Sequence, residues 1–168
     1  TWTDRSTSSW LIKAQIFDAT NSKVGGEFTV NWSAGPNAAS VESSVTALTN
    51  GNFAVAWYEG SLHRIQVFTA SGVPVGAEIA VAAGFSGTQA GPELTALSTG
   101  GFVLTWVGNA GALSDGSGSG VYFQAFDAAG APIGSVQLAN STLAGDQILP
   151  SVVALDNGSF AITWTDLS

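Results

Sequence analysis

Few residues in this chain could carry chemistry. There is one histidine, His63, and no cysteine, so thiol catalysis, disulfides and zinc–thiolate sites are excluded. A serine hydrolase needs a G-x-S-x-G turn after an apolar strand, and the run Gly116–Gly120 only approximates those letters within a Gly-Ser loop. We expect His63, beside Arg64 in a predicted short loop, to be an ordinary surface residue. The sequence therefore predicts that the chain is not an enzyme.

The acidic residues are scattered singly through predicted turns, which argues against a glycosidase pair of carboxylates. Calcium is a better match at Asp115, because its loop offers a carboxylate, hydroxyls and backbone carbonyls, all hard oxygen ligands. The loop lacks the spacing of an EF-hand and of haemolysin-type calcium repeats. We therefore predict a solvated loop and no cofactor, with calcium bound at Asp115 as the alternative. Four further acids should bond to backbone within turns: Asp18, Asp127, Asp146 and Asp156.

Two tryptophans, Trp10 and Trp32, stand outside the repeated positions described below. Trp32 follows Val30 and Asn31 in a predicted loop, where its aromatic face could stack on a sugar ring. Trp32 and Trp10 are therefore the predicted ligand-binding residues of a carbohydrate site.

The charge balance limits the partners. The net charge is −8 with only four basic residues, so clustered Lys and Arg for nucleic acid are lacking. No apolar run reaches the roughly 18 residues needed to cross a bilayer, so we predict no membrane insertion.

The predicted strands that must position these residues recur along the chain as a repeat. Three segments align without gaps: VTALTNGNFAVAWYEG from Val45, LTALSTGGFVLTWVGN from Leu94 and VVALDNGSFAITWTDL from Val152. Each places a Leu nine residues before a Trp, with hairpin-turn residues between them. A second block recurs as AQIFDAT from Ala14, IQVFTAS from Ile65 and FQAFDAA from Phe123, each followed by a turn and then Val-Gly or Ile-Gly. Its Gln is expected to bond to backbone within a sheet.

We therefore predict an all-β fold of three tandem four-stranded units of about 50 residues each. We place the units at about 1–57, 58–106 and 107–168. Together they make a single repeat region, 1–168, which we expect to belong to a longer array. In the strand that ends at each Trp, one face is bulky and the other small and uncharged, which predicts burial on both faces. This favours β-propeller blades, with a β-trefoil as the alternative. Since propellers have four to eight blades, further copies of the repeat are predicted partners.

Two runs carry a resemblance to known proteins: Pro150-Ser151-Val152, Ala154-Leu155, Gly158, Phe160 and Thr163-Trp164, and Asp115-Gly116, Gly120-Val121-Tyr122, Gln124 and Phe126-Asp127-Ala128. This pattern resembles tandem repeats of large bacterial secreted or surface proteins, often described as calcium-binding, haemolysin-type or adhesin-like. The resemblance implies a secreted or cell-surface β-propeller-like module. The second unit departs from the pattern, since it has Val67 and Thr69-Ala70 and no Asp.

From these observations we expect a non-enzymatic, extracellular repeat module with a structural or adhesive role in a bacterial surface or secreted protein. Its expected partners are further copies of the repeat or other surface subunits. The alternative is a carbohydrate-binding, lectin-like module.

Overall fold

The computed structural model describes residues 1–6, 10–32, 40–60, 62–81, 91–108, 118–142 and 144–168. These residues form strands and turns, and no helix occurs among them, so the predicted all-β class is confirmed. Within the described residues there is accordingly no helix that could span a membrane.

Thirteen strands are described: β1 (Trp2–Asp4), β2 (Leu11–Phe17), β3 (Lys23–Thr29), β4 (Ser40–Ala47), β5 (Phe53–Glu59), β6 (Leu62–Phe68), β7 (Pro74–Val81), β8 (Glu93–Ala96), β9 (Phe102–Gly108), β10 (Gly120–Phe126), β11 (Pro132–Leu138), β12 (Gln147–Ala154) and β13 (Phe160–Asp166). They form four antiparallel sheets, each ordered as in the chain: sheet 1 (β1 to β3), sheet 2 (β4 to β7), sheet 3 (β8 to β11) and sheet 4 (β12 and β13). None of these sheets closes into a barrel.

The hydrogen-bonded sheets and the sequence units differ in phase. The unit boundary after Trp57 falls inside β5, and the boundary after Trp106 falls inside β9. Because the pattern repeats continuously, a sequence unit can begin at any strand, whereas a sheet begins where backbone pairing begins.

The first two strands of sheets 2, 3 and 4 are joined by the same tight turn. In sheet 2, the Leu48 N–H donates to the Asn52 carbonyl at 2.8 Å and the Gly51 N–H donates to the Leu48 carbonyl at 3.1 Å. Gly51 has a φ of 83°, a conformation that residues with a Cβ rarely adopt. Gly100 and Gly158 occupy the same place in the other two turns, with φ of 105° and 83°. The predicted hairpin turns are confirmed.

The sheets stack on one another in chain order. The Leu94 N–H of β8 donates to Ser44 Oγ of β4 at 3.1 Å, and the Ala96 N–H donates to Thr46 Oγ1 at 3.2 Å. β12 in turn contacts β8 and β9. One hydrophobic core lies between sheets 2 and 3, and a smaller one joins sheets 1 and 2.

Burial on both faces is confirmed for the central strands. Every residue of β9 is buried, and Trp57 and Trp106 have no exposed surface. In β13, by contrast, half-buried and exposed residues alternate, and the equivalent Trp164 is only half-buried. The same sequence pattern is therefore covered in the middle of the stack and uncovered at its end.

Candidate functional site

The repeated glutamines support a backbone irregularity. Each of Gln15, Gln66 and Gln124 lies where the pairing between its own strand and the last strand of its sheet shifts register. The Gln66 amide donates to the Val67 carbonyl at 2.9 Å and to the Val75 carbonyl at 3.1 Å. Since a bulge leaves backbone groups without ladder partners, the side chain replaces the missing donor. The predicted backbone role of these glutamines is confirmed.

A glycine completes each bulge. Gly25, Gly76 and Gly134 each follow the Val or Ile that pairs with the residue after the glutamine, and they have φ of 68°, 72° and 74°. Nothing lies within 4 Å of where a Cβ would stand on any of them, so the left-handed backbone itself, and not lack of space, favours glycine there.

Aspartates hold the turns that follow these strands. Asp18 Oδ1 accepts the N–H groups of Thr20 and Ser22 at 2.8 and 2.9 Å, and Asp127 Oδ1 accepts two N–H groups in the same pattern. The Thr20 hydroxyl and these N–H groups lower the pKa of Asp18. In the second unit Thr69 Oγ1 accepts the Val73 N–H at 3.1 Å, so a hydroxyl replaces the carboxylate. The turn role predicted for Asp18 and Asp127 is confirmed.

The other two aspartates predicted to serve turns make long-range bonds, Asp146 through its carboxylate and Asp156 through its backbone carbonyl. Asp146 Oδ1 accepts the Ser119 N–H at 2.8 Å, 27 residues away, and so links two segments of the chain. The Asp156 carbonyl accepts the Ser98 hydroxyl at 3.2 Å and helps to join sheets 3 and 4. Sequence spacing alone could not reveal either partner, because both are set by stacking.

Trp32 stands at a surface depression of about 470 Å³ that is also lined by Arg64, Gly76, Ala77 and Glu78. The indole is 60% exposed. Arg64 Nε lies 3.2 Å from Glu59 Oε2, which also accepts the Trp57 indole N–H at 3.2 Å. The depression thus combines an open aromatic face with a cation fixed by a carboxylate, the groups that can stack on a ring and bond to its hydroxyls.

Trp10 lies at the same end of the β2–β3 hairpin as Trp32, because it directly precedes β2 and Lys13 pairs with Thr29. It is 36% exposed, and the Arg5 guanidinium lies 4.2 Å from its ring centroid. A cation over the ring covers part of the surface a sugar would use. Trp10 does not line the Trp32 depression.

Sequence reasoning missed a buried asparagine between the two tryptophans. Asn31 Oδ1 accepts the Ile12 N–H at 2.9 Å, and Asn140 Oδ1 accepts the Val121 N–H at the same distance. Each asparagine stands six residues after the bulge glycine of its unit, a spacing that the sequence offers as a signal. Asn31 thus holds the backbone next to Trp32 against β2.

His63 is not the surface residue that its sequence context predicts. It lies in β6 with 5% of its surface exposed, and its ring centroid is 5.4 Å from that of Tyr58 and 5.6 Å from that of Trp106. Burial lowers the pKa of His63 to about 4, because desolvation disfavours the charged imidazolium. The prediction was wrong because stacking of sheet 3 on sheet 2 covers this position.

Asp115, the predicted calcium ligand, lies outside the described residues. Within the described ranges, no group of three or more His, Cys, Asp or Glu residues could hold a metal ion. The calcium prediction therefore gains no support from the described part of the chain.

The described residues thus form an all-β fold of stacked antiparallel sheets, with Trp32 at a surface depression. The chain gave no match when it was compared with protein-family models, curated proteins and solved structures. The resemblance to bacterial surface repeats thus stays a prediction.

Proposed function

We propose that the chain is a non-enzymatic, extracellular repeat module with a structural or adhesive role in a bacterial surface or secreted protein, and that its sheets are arranged as propeller blades. One observation carries this proposal: the polar side chains that recur from unit to unit are engaged with the backbone. Gln15, Gln66 and Gln124 bond at bulges, and Asp18 and Asp127 bond in turns. The residues that recur therefore support the backbone, and repetition of such a unit lengthens a protein and enlarges its surface.

The extracellular location is tested on intact cells. Antibodies raised against the 168-residue chain should label producing cells without permeabilisation, and brief external protease treatment should remove the label. Labelling that requires permeabilisation would refute an extracellular role. Deletion of the coding region should then weaken cell adhesion or cell-surface cohesion, while growth in suspension should not change.

Carbohydrate binding is the second candidate, favoured by the 60% exposure of Trp32 over its depression. A glycan array probed with the labelled chain and with Trp32→Ala separates the two functions. A lectin should bind a defined group of glycans and lose them in Trp32→Ala, whereas Trp10→Ala should retain them because Trp10 lies outside the depression. Equal signals from the wild type and Trp32→Ala would refute a sugar site there.

A further inference from the structure

The chain contains the three-residue pattern N-x-S/T three times, as Asn31-Trp32-Ser33, Asn140-Ser141-Thr142 and Asn157-Gly158-Ser159. In a secreted protein this pattern, with any residue but proline in the middle, marks an asparagine to which a sugar can be attached. Attachment requires that the nitrogen of the side-chain amide, Nδ2, be accessible to a transferring enzyme. The surroundings of the three amides therefore decide which of them can be modified.

Two of the three asparagines are buried. Asn31 has no exposed surface, and its Oδ1 accepts the Ile12 N–H at 2.9 Å. Asn140 is 4% exposed, and its Nδ2 donates to the Thr142 carbonyl and to Gln147 Oε1, both at 2.9 Å. An enzyme could reach neither amide without unfolding the segment around it.

Asn157 has the opposite environment. It is exposed in the tight turn between β12 and β13. Its Oδ1 accepts the Ser159 N–H at 3.0 Å and also the Ser159 hydroxyl. Because these two donors hold Oδ1 against the turn, the Nδ2 of the same planar amide is directed away from them. Within the described residues this Nδ2 donates no hydrogen bond, so it is available for modification.

The exposure of Asn157 does not depend on its place in sheet 4. Asn50 and Thr99, its counterparts in the turns of sheets 2 and 3, are also exposed. Sheet 3 stacks on sheet 2 and still leaves Asn50 exposed. A further sheet stacked on sheet 4 should therefore leave the Asn157 amide exposed as well.

The turn of sheet 2 provides an internal comparison. There Asn50-Gly51-Asn52 stands where Asn157-Gly158-Ser159 stands in sheet 4, and Asn50 Oδ1 accepts the Asn52 N–H at 3.0 Å. In both turns the glycine N–H donates to the carbonyl of the Leu three residues earlier at 3.1 Å. The two turns thus share their backbone and an exposed asparagine, and the turn of sheet 2 lacks only the hydroxyl that the pattern requires.

We propose that Asn157 is a site of N-linked glycosylation and that the Ser159 hydroxyl qualifies it for this modification. The co-substrate is a sugar activated as a diphosphate and delivered by a transferring enzyme. Nδ2 of Asn157 bonds to the anomeric carbon of the sugar, the bond from that carbon to the diphosphate oxygen breaks, and the diphosphate leaves with the bonding electrons. One amide proton passes to a base of the enzyme. Modification of Asn157 rests on the extracellular location proposed above, since the pattern is used on secreted proteins.

Peptide mapping of the chain isolated from the surface of producing cells is the first test. Mass spectrometry should find the peptide around Asn157 with the added mass of a sugar, and fragmentation should locate the sugar on Asn157. The peptides that contain Asn31, Asn50 and Asn140 should carry none.

Substitutions in the two matched turns test the role of the hydroxyl. Asn157→Gln and Ser159→Ala should each lose the sugar, whereas Ser159→Thr should retain it because threonine also supplies a hydroxyl. Asn52→Ser should gain a sugar on Asn50, since it adds the missing hydroxyl to a turn of the same backbone. Circular dichroism shows whether each variant is folded, and the gain in Asn52→Ser does not rely on the loss of a signal.

An unmodified Asn157 in chains recovered from the cell surface would overturn the inference, as would a sugar that persists in Ser159→Ala. A sugar on Asn31 or Asn140 would show that burial does not select the site and would also overturn it. Failure of Asn52→Ser to gain a sugar would refute the role assigned to Ser159. Surface labelling tests the proposed function separately, so labelled cells whose chains carry no sugar would reject the modification alone.

Discussion

Burial of His63 predicts that the chain loses stability in mild acid. Its pKa in the folded chain is about 4, against 6.5 for an unperturbed histidine. The unfolded chain therefore binds a proton at a higher pH than the folded chain does, and protonation favours unfolding. Stability from the neutral imidazole is fully present above pH 6.5 and is lost as the pH falls from 6.5 to 4. The difference of about 2.5 units corresponds to about 3 kcal/mol in total, of which about 2 kcal/mol is lost by pH 5.

The variant His63→Phe isolates this effect. Phenylalanine keeps a ring between Tyr58 and Trp106 and removes Nδ1, a buried atom without a hydrogen-bond partner among the described residues. Urea unfolding at pH 7 and pH 5 should show a loss of about 2 kcal/mol in the wild type and a much smaller loss in His63→Phe. Acidic residues titrate equally in both chains, so comparing the two chains removes their contribution.

The microscopic cause can be measured directly, because His63 is the only histidine in the chain. An NMR titration of its ring protons should show a midpoint near pH 4 in the folded protein. A midpoint near 6.5 would refute the argument from burial. So would equal pH dependence of stability in the wild type and His63→Phe.

Three further substitutions, two of them paired with a control variant, test the scaffold by thermal or chemical unfolding. Gln66→Ala should cost about 2 kcal/mol, because it leaves buried carbonyls at the bulge without a donor, and a loss below 0.5 kcal/mol would contradict that role. Gly76→Ala should cost about 1 kcal/mol through its positive φ, whereas Gly26→Ala, with open space and an ordinary φ, should cost less. Trp106→Ala should cost about 3–5 kcal/mol and Trp32→Ala less than about 0.5 kcal/mol, and equal losses would contradict their different burial.

Local features of this fold were predictable because they repeat. The hairpin turns, the backbone-bonded glutamines and the buried Trp57 and Trp106 follow from residues that recur at fixed spacing. Features that depend on the stacking of one sheet on another could not be predicted. His63 is buried by the neighbouring sheet, and Asp146 bonds to a serine 27 residues away, so neither environment can be read from its own segment.

The candidate site was predictable only in its aromatic component. Trp32 stands outside the repeat, which predicts that its side chain lies at the surface. The observed 60% exposure agrees with that prediction. Arg64 belongs to β6, and Ala77 and Glu78 belong to β7, so only the stacking of sheet 1 against sheet 2 brings them beside Trp32.

The bulges at Gln15, Gln66 and Gln124 also bear on aggregation. In sheets 1, 2 and 3 they bend the outermost strand, whose outer edge would otherwise offer a straight row of amides to neighbouring molecules. A bent edge templates a foreign strand poorly, which protects a protein of low charge density from lateral, amyloid-like growth. Such protection matters most for a tandem array, where many sheet edges are crowded at high local concentration.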